Sequence, residues 1–400
     1  MGVVDWLGNG LWGLSVWGIV AYVLVVTHIT IVTVTVYLHR FSAHRSIDLH
    51  PALQHFFRFW SWLTTGMITR QWTAIHRKHH AATETAEDPH SPKVRGIWKI
   101  LWEGTEAYRE AARDEAIMER YGSGCPDDWL ERRLYSRHEM LGVGMLAVID
   151  VALFGFAGIS VWAVQMLWIP VLGAGVINGI GHYWGYRNFE SPDASTNMVP
   201  WGILIGGEEL HNNHHTYPNS ARLSQKWWEF DVGWMWIRIF QAFGLARPFS
   251  TGPMAQKAPG KTTLDVDTLW AVLNDRFRLM AKYKNDVVRP LIEQECAKVD
   301  RATGRLLRAA RKALCRHEGL VDESGQRCID KAVQASHAIG TIYNLRLRLQ
   351  AIWTERGANA EEMLQALTQW CRDAEETGIQ ALRDFVLELK SYTVPKLARA

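Results

Sequence analysis

Residues 11–38 run for 28 positions without a single Asp, Glu, Lys or Arg. About 20 apolar residues, each rising about 1.5 Å, cross a hydrocarbon core of roughly 30 Å. The run therefore predicts a membrane-spanning helix that overshoots the bilayer and lifts the residues after Leu38 clear of the lipid. Residues 1–10 carry Asp5 and no basic residue, which argues against a cleaved signal peptide. A second stretch, 140–181, has no Lys or Arg and is long enough for two spans, about 141–157 and 160–181, with 155–160 as a tight turn. Residues 51–68 are apolar and aromatic but interrupted by His55 and Arg58, and 226–245 carry Trp227, Trp228, Trp234 and Trp236 among Glu229, Asp231 and Arg238. Both read as amphipathic helices lying on the bilayer surface.

Past residue 250 the pattern changes. Residues 251–260 form a Pro/Gly-bearing linker, and 261–400 are dense in charge with three tryptophans, Trp270, Trp353 and Trp370. Apolar positions such as Ile342, Leu345, Leu349 and Ile352 recur at helical spacing, which predicts a soluble helical domain. The expected fold is thus an all-α integral membrane protein: a membrane domain over 1–250 with a small transmembrane bundle and a cytoplasmic His-rich cap, a linker, and a cytoplasmic helical domain over 261–400. Basic residues crowd 70–137, including Arg77, Lys78, Lys93, Arg95, Lys99, Arg109, Arg113, Arg132 and Arg133. By the positive-inside rule that region is cytoplasmic, giving three spans with Met1 outside and Ala400 inside.

Composition narrows the partners. A net charge of +3, with no basic run interleaved with aromatics, does not argue for nucleic acid. Cys125, Cys296, Cys315, Cys328 and Cys371 form no Cys-x-x-Cys pair and fit free thiols in a reducing compartment. His28 inside the first span and Asp150 inside the second read as bundle-facing residues. Gly142-Val143-Gly144 resembles a nucleotide-binding glycine pattern, but no strand precedes it, so close helix packing is the better reading. His317 and His337 stand alone and read as ordinary surface residues.

The chemistry lies in the histidines. His76, His79 and His80 sit at i, i+3 and i+4, on one face of a helix, and His211, His214 and His215 repeat the spacing. His39 and His44 are five apart, which a straight α-helix would splay, so His44 is expected in a turn after a helix end. Asn178 and His182 share a face at i, i+4. Four ligands satisfy one tetrahedral ion, so nine imidazoles imply two metals, in a site almost free of carboxylates. All these boxes must face one side of the membrane to build one site, which is why 51–68 is not read as a crossing. Imidazole suits Zn, Cu, Fe and Ni alike, but a two-metal centre at a membrane rim, where lipids are the available substrates, points to redox chemistry on acyl chains.

These motifs, His39-x4-His44, His76-x2-His79-His80 and His211-x2-His214-His215, resemble the three histidine boxes of the membrane fatty acid desaturases, and the His39-Arg40 start resembles the bacterial-type acyl-CoA (delta-9) branch. Asn178-x3-His182, Glu87-Asp88-Pro89-His90 and Gly207-Glu208 also match that branch, over about residues 11–250. The resemblance implies a non-haem di-iron centre with nine histidine ligands, a metal-bound water held by Asn178, and O2 as co-substrate. It further implies a cis double bond, at delta-9, in a saturated acyl chain carried as acyl-CoA or membrane phospholipid, with acyl-CoA preferred. No flavin, nicotinamide, iron–sulfur or fused haem motif is present, so two electrons must come from a separate ferredoxin-like or cytochrome donor with an NAD(P)H reductase. The implied place is a bacterial inner membrane with the active site facing the cytoplasm.

The chain departs from the family in two ways. The animal members' Arg-Asp pair before the second box, associated with coenzyme A, is here Ala74-Ile75, read as a short apolar lip where a chain enters from the bilayer. One long N-terminal span also replaces two. A di-iron acyl or alkane hydroxylase is the nearest rival, separated by an alcohol product. A haem electron carrier would need histidines within the bilayer, where only His28 lies, and a zinc lipid hydrolase would work without O2 or reductant.

Overall fold

The computed structural model describes residues 2–355 and 357–394. The chain divides into two compact units, Met1–Arg187 with Asp193–Gly252 and Asn188–Pro192 with Pro253–Ala400. Met1 and Ala400, on which the topology expectation turns, lie outside the described residues.

In the first unit two helices are long and apolar enough to cross a membrane: Val16–Ala43, 28 residues, and Ala157–Ile180, 24 residues. The first starts later than the uncharged run does, because Gly10 and Gly13 adopt positive φ and break the chain, after which the Ser15 side chain caps the Gly18 N–H. A Cβ on Gly10 would lie 2.1 Å from the Leu153 carbonyl oxygen, so this break is also a packing contact. The helix then runs five residues past Leu38. Over Thr33–Ala43 it winds as a π-helix, so the helix itself, not a protruding tail, carries His39. In the other long helix the π-wound segment Ile169–Ile177 contains Pro170, which has no N–H to give to an α-helical bond.

Between these lies Glu139–Phe154, 16 residues and so about 24 Å long. The turn to the next helix is shorter than expected, only Gly155 and Phe156, and Ser160 is already helical. Gly155 has φ 59°, and a Cβ there would meet the Leu7 carbonyl oxygen at 2.3 Å. Asp150 is fully buried and accepts a 2.9 Å hydrogen bond from the Tyr22 hydroxyl, and His28 accepts one of 2.8 Å from the Trp236 indole. Both intramembrane polar residues therefore have structural partners. Gly142 packs where a Cβ would lie 2.4 Å from the Trp62 carbonyl oxygen, which bears out the helix-packing reading for Gly142, whereas Gly144 is exposed with open space around it.

The helix Pro51–Thr65 ends at Gly66 in the left-handed region. Its polarity is the reverse of a simple surface helix: Arg58 is buried against Asp128 (2.6 and 2.9 Å) and Glu131 (3.0 Å), while Phe56 and Phe59 face outward. The last helix of the unit, Val232–Ala242, is shorter than the expected 226–245. The reason is that Asp231 is buried, capping the Trp234 N–H at 2.9 Å and pairing with buried Arg40 at 2.8 and 3.0 Å.

The second unit is helical, and its core is apolar. Leu269, Tyr283, Leu307, Ile342, Leu345, Leu349, Ile352, Leu367, Trp370 and Phe385 are all buried in it, as the helical spacing of the 342–352 residues predicts. The Trp370 indole donates to the Leu345 carbonyl at 2.8 Å, satisfying its one polar group.

Candidate metal centre

Helix Thr69–Ala82 carries His76, His79 and His80, and the short helix His211–Thr216 carries His211, His214 and His215. His39 lies in the π-wound segment and His44 is the residue just after it, with its N–H bonded to the His39 carbonyl at 3.0 Å. His44 thus stands in the turn directly after the helix end, as its five-residue spacing from His39 predicts, and the i to i+5 bond shows the helix before it to be π-wound. π winding brings every fifth residue into line, and the two rings stand 4.7 Å apart. His182 follows the helical turn Asn178–Ile180 and is fully buried.

All nine histidines converge, but not box by box. His39, His44, His76 and His214 form one group that could hold a metal ion; His79, His182, His211 and His215 form another; His80 joins His214 and His215 between them. Within these groups candidate ligand atoms lie within 4.8 Å of one another. Nε2–Nε2 separations are 3.0 Å for His39–His214, 2.8 Å for His44–His76, 2.8 Å for His80–His214 and 2.9 Å for His182–His211.

The outer partners correct the expectation of an almost carboxylate-free site. The Nδ1–H of His79 donates to Asp88 at 3.0 Å, that of His182 to Glu84 at 3.3 Å and that of His211 to Glu208 at 3.2 Å. His215 Nδ1 lies 3.5 Å from Asp193. Glu208 turns its other oxygen to within 3.1 Å of His39 Nδ1, so one carboxylate touches a histidine of each group. Asp88 also accepts the N–H of Glu84, which stands at φ 64°, a left-handed conformation rare for a residue with a side chain. The motif resemblance had noted Asp88 and Glu208. Glu84 and Asp193 carry no local signal, because each meets its histidine only through the fold.

A carboxylate on Nδ1 fixes the tautomer and leaves the Nε2 lone pair facing inward. In His182 and His211 both lone pairs then oppose each other at 2.9 Å, an arrangement that a cation between them relieves. His79 Nε2 and His215 Nε2 are buried with no hydrogen-bond partner. These orphaned donor atoms fit a bound metal. Burial pushes His76, His80, His211 and His214 well below the ordinary imidazole value, with neighbouring imidazoles adding to the shift. His44 falls to about 3 by burial and His215 to about 4, the latter against the opposing pull of Asp193. Neutral imidazoles at pH 7 are the form that binds metal.

The two groups differ. Every histidine of the 79/182/211/215 group is buried and has a carboxylate beside its Nδ1, whereas in the 39/44/76/214 group only His39 does, and His214 Nδ1 has no partner. A carboxylate behind an imidazole raises its basicity, so the first of these is the stronger cation site.

A fatty acid desaturase family model matches residues 15–238, and 44 curated proteins match the chain significantly. The chain belongs to the fatty acid desaturase family. Delta-9 acyl-lipid desaturase 2 of Arabidopsis thaliana is 30% identical over 234 residues, 56% of this chain and 72% of that protein. The sn-2 palmitoyl-lipid 9-desaturase of Nostoc sp. is 32% identical over 226 residues, 54% of this chain and 75% of its own. The acyl-CoA C20 Delta5-desaturase of Anemone leveillei is 32% identical over 225 residues, 53% and 67%. A second family model, described as a transposase, matches residues 270–397. The chain is thus a membrane oxidoreductase of fatty acid desaturation.

Within this desaturase, two further residues change their reading. Ala74 and Ile75 are not an apolar lip: they are 0% and 2% exposed and pack with Ala111 and Ile117. They mark the absence of a charged pair, not an entrance. Arg77, inside the second box, was not singled out by spacing, yet its guanidinium donates to the carbonyls of Ser42, Ala43, Tyr121 and Ser123 at 2.8–2.9 Å. It thereby ties the end of the π-wound segment to the second box. Asn178 is half-buried, and its amide has no hydrogen-bond partner among the described residues.

Proposed function

We propose that the chain is an O2-dependent di-iron desaturase that introduces a cis double bond, at delta-9, into a saturated acyl chain of a membrane lipid. The observation that carries the reading is the pair of four-histidine groups with inward-facing Nε2 atoms. His39, His44, His76 and His214 would hold one iron and His79, His182, His211 and His215 the other, with His80 between them and Asn178 holding a water. When bound, the irons supply the O2-derived oxidant that takes one hydrogen from each of two adjacent CH2 groups, while two electrons and two protons from outside complete the reduction of O2 to two waters. Glu84, Asp88, Asp193 and Glu208 hold the imidazole tautomers and ring orientations, and Arg77 keeps the first box in register with the second. The protein thereby fixes which C–C bond meets the oxidant. The described residues carry no dinucleotide-binding strand–turn–helix, and a separate ferredoxin-like or cytochrome donor with its reductase is the implied electron source.

Two features favour an acyl-lipid over acyl-CoA as carrier: two of the three relatives named above are named for lipid-borne acyl groups, and no charged pair stands at Ala74-Ile75 for a phosphate-rich head group. Glu139–Phe154 completes a bundle of three spans, with the metal centre on the cytoplasmic side of a bacterial inner membrane. The test is to supply labelled acyl-CoA and labelled phospholipid separately to membranes in which acyl transfer is blocked, and to locate the double bond by mass spectrometry. Label desaturated only as acyl-CoA would overturn the carrier, an alcohol product the reaction, and zinc in place of iron in the active protein the cofactor. Asn178→Ala should keep its iron and lose most activity; full turnover would remove Asn178 from the site.

A further inference from the structure

Residues 301–316 of the second unit contain Arg301, Arg305, Arg308, Arg311, Lys312 and Arg316 and not one acidic residue. Helix Arg301–Cys315 is started by Asp300, whose side chain caps the N–H groups of Ala302 and Thr303 at 2.7 and 3.1 Å. Its inner face, Gly304, Leu307, Ala310 and Leu314, is buried in the unit's core. Arg301, Arg305, Arg308 and Lys312 follow at intervals of four, three and four, which puts them in one line on the opposite face, about 17 Å long. All four are exposed. Arg308 has one acidic neighbour, Glu293 at 3.6 Å, and that pair is itself open to solvent. Arg301, Arg305, Arg311 and Lys312 form no ion pair among the described residues, although the unit carries many elsewhere.

We propose that this basic face docks on the anionic phospholipid headgroups of a bilayer surface. Four like charges held in a row cost self-repulsion, which an anionic surface relieves. The polyanion that this chain always accompanies is the membrane holding its other unit, and one continuous chain keeps the helix at high effective concentration near such a surface. No aromatic residue occurs in 301–316, so neither base stacking nor insertion into the acyl region accompanies the contact, and its strength is electrostatic. The inference rests on the membrane association of the chain and is independent of the reaction it catalyses.

The experiment uses the full chain in nanodiscs of neutral phosphatidylcholine, so that its own bilayer does not compete. Capture by vesicles is measured by flotation, with vesicles of phosphatidylcholine alone or with 30% phosphatidylglycerol. Binding should require the anionic lipid and fall steeply as salt is raised from 50 to 300 mM. R301Q/R305Q/R308Q/K312Q should lose about fivefold in affinity per charge removed, about 600-fold in all, with unchanged melting and unchanged desaturation. R301K/R305K/R308K, which keeps the charge, should still bind. Equal capture of the glutamine variant, or capture by neutral vesicles, would overturn the proposal. So would a duplex DNA probe that binds more tightly than the anionic vesicles at the same salt and depends on the same four residues.

Discussion

Both units bury apolar clusters, but the first adds a buried polar interior that the second largely lacks. The first buries His39, His79, His182, His211 and His214 together with Arg40, Arg58, Asp88, Glu131 and Glu208, whereas the second buries Leu269, Leu307, Leu349, Leu367, Trp370 and Phe385. Buried polar groups cost free energy unless each finds a partner, and buried apolar groups need only close neighbours. The polar part of the first interior is therefore specified by pairing, and part of that pairing, the inward Nε2 atoms, is completed only by a cation. The second is specified by volume. One chain thus shows two ways of defining a core, and they should respond differently to the same perturbations.

The largest difference is expected for His79→Ala and His214→Ala, one from each four-histidine group. Each should abolish the unsaturated product while leaving the protein in the membrane, as read by fatty acid analysis and membrane fractionation. Double-bond formation at a tenth of the normal level would remove that residue from the centre. Next comes metal removal. A ligand bound at a thousand times its Kd stabilises by about 4 kcal/mol, so chelation should lower the calorimetric transition of the first unit by many degrees and leave that of the second in place. Shifts of equal size in both would break the comparison.

Trp370→Ala tests the other side. Truncating a fully buried tryptophan costs about 3–5 kcal/mol. The transition of the second unit should fall by that amount, with the metal content of the first unchanged. The smallest effect sharpens the contrast inside the metal centre. Removing an outer carboxylate weakens metal binding about 10–100-fold. Glu208→Gln, which touches His39 and His211, should weaken both equivalents, whereas Asp193→Asn should weaken only the one held by the 79/182/211/215 group. In the unaltered protein that group should also fill first in a metal titration. Two indistinguishable binding steps in all three proteins would show the groups to be equivalent.

Much of this was already legible along the chain. The helical triplets at His76 and His211 are local facts, as are the long uncharged runs and the apolar spacing of Ile342, Leu345, Leu349 and Ile352, because each depends on a helical repeat of a few residues. The local rule placed His44 in the turn after the helix end, where it lies, but did not show that Thr33–Ala43 winds with i to i+5 bonds. Polarity misled. Arg58 read as a solvent-facing interruption but lies buried against Asp128 and Glu131, and Ala74 and Ile75 read as a lip but lie in the core, since the face an element buries is chosen by what packs on it.

The sequence by itself determined which residues carry the chemistry and, through their spacing, that they could converge. Only the tertiary structure decided how they divide. Residues three or four apart on a helix stand about 5–6 Å apart at Cβ. Each box is therefore wide enough to reach both positions: His76 joins one group and His79 the other, and His214 parts in the same way from His211 and His215. The carboxylates behind them come from very different distances along the chain: Glu208 is 3 residues from His211, Asp88 is 9 from His79 and Glu84 is 98 from His182. Hydrogen bonds act over 3 Å of space whatever the sequence separation, so Glu84 and Asp193, and the reach of Glu208 to His39, become visible only once the chain has folded.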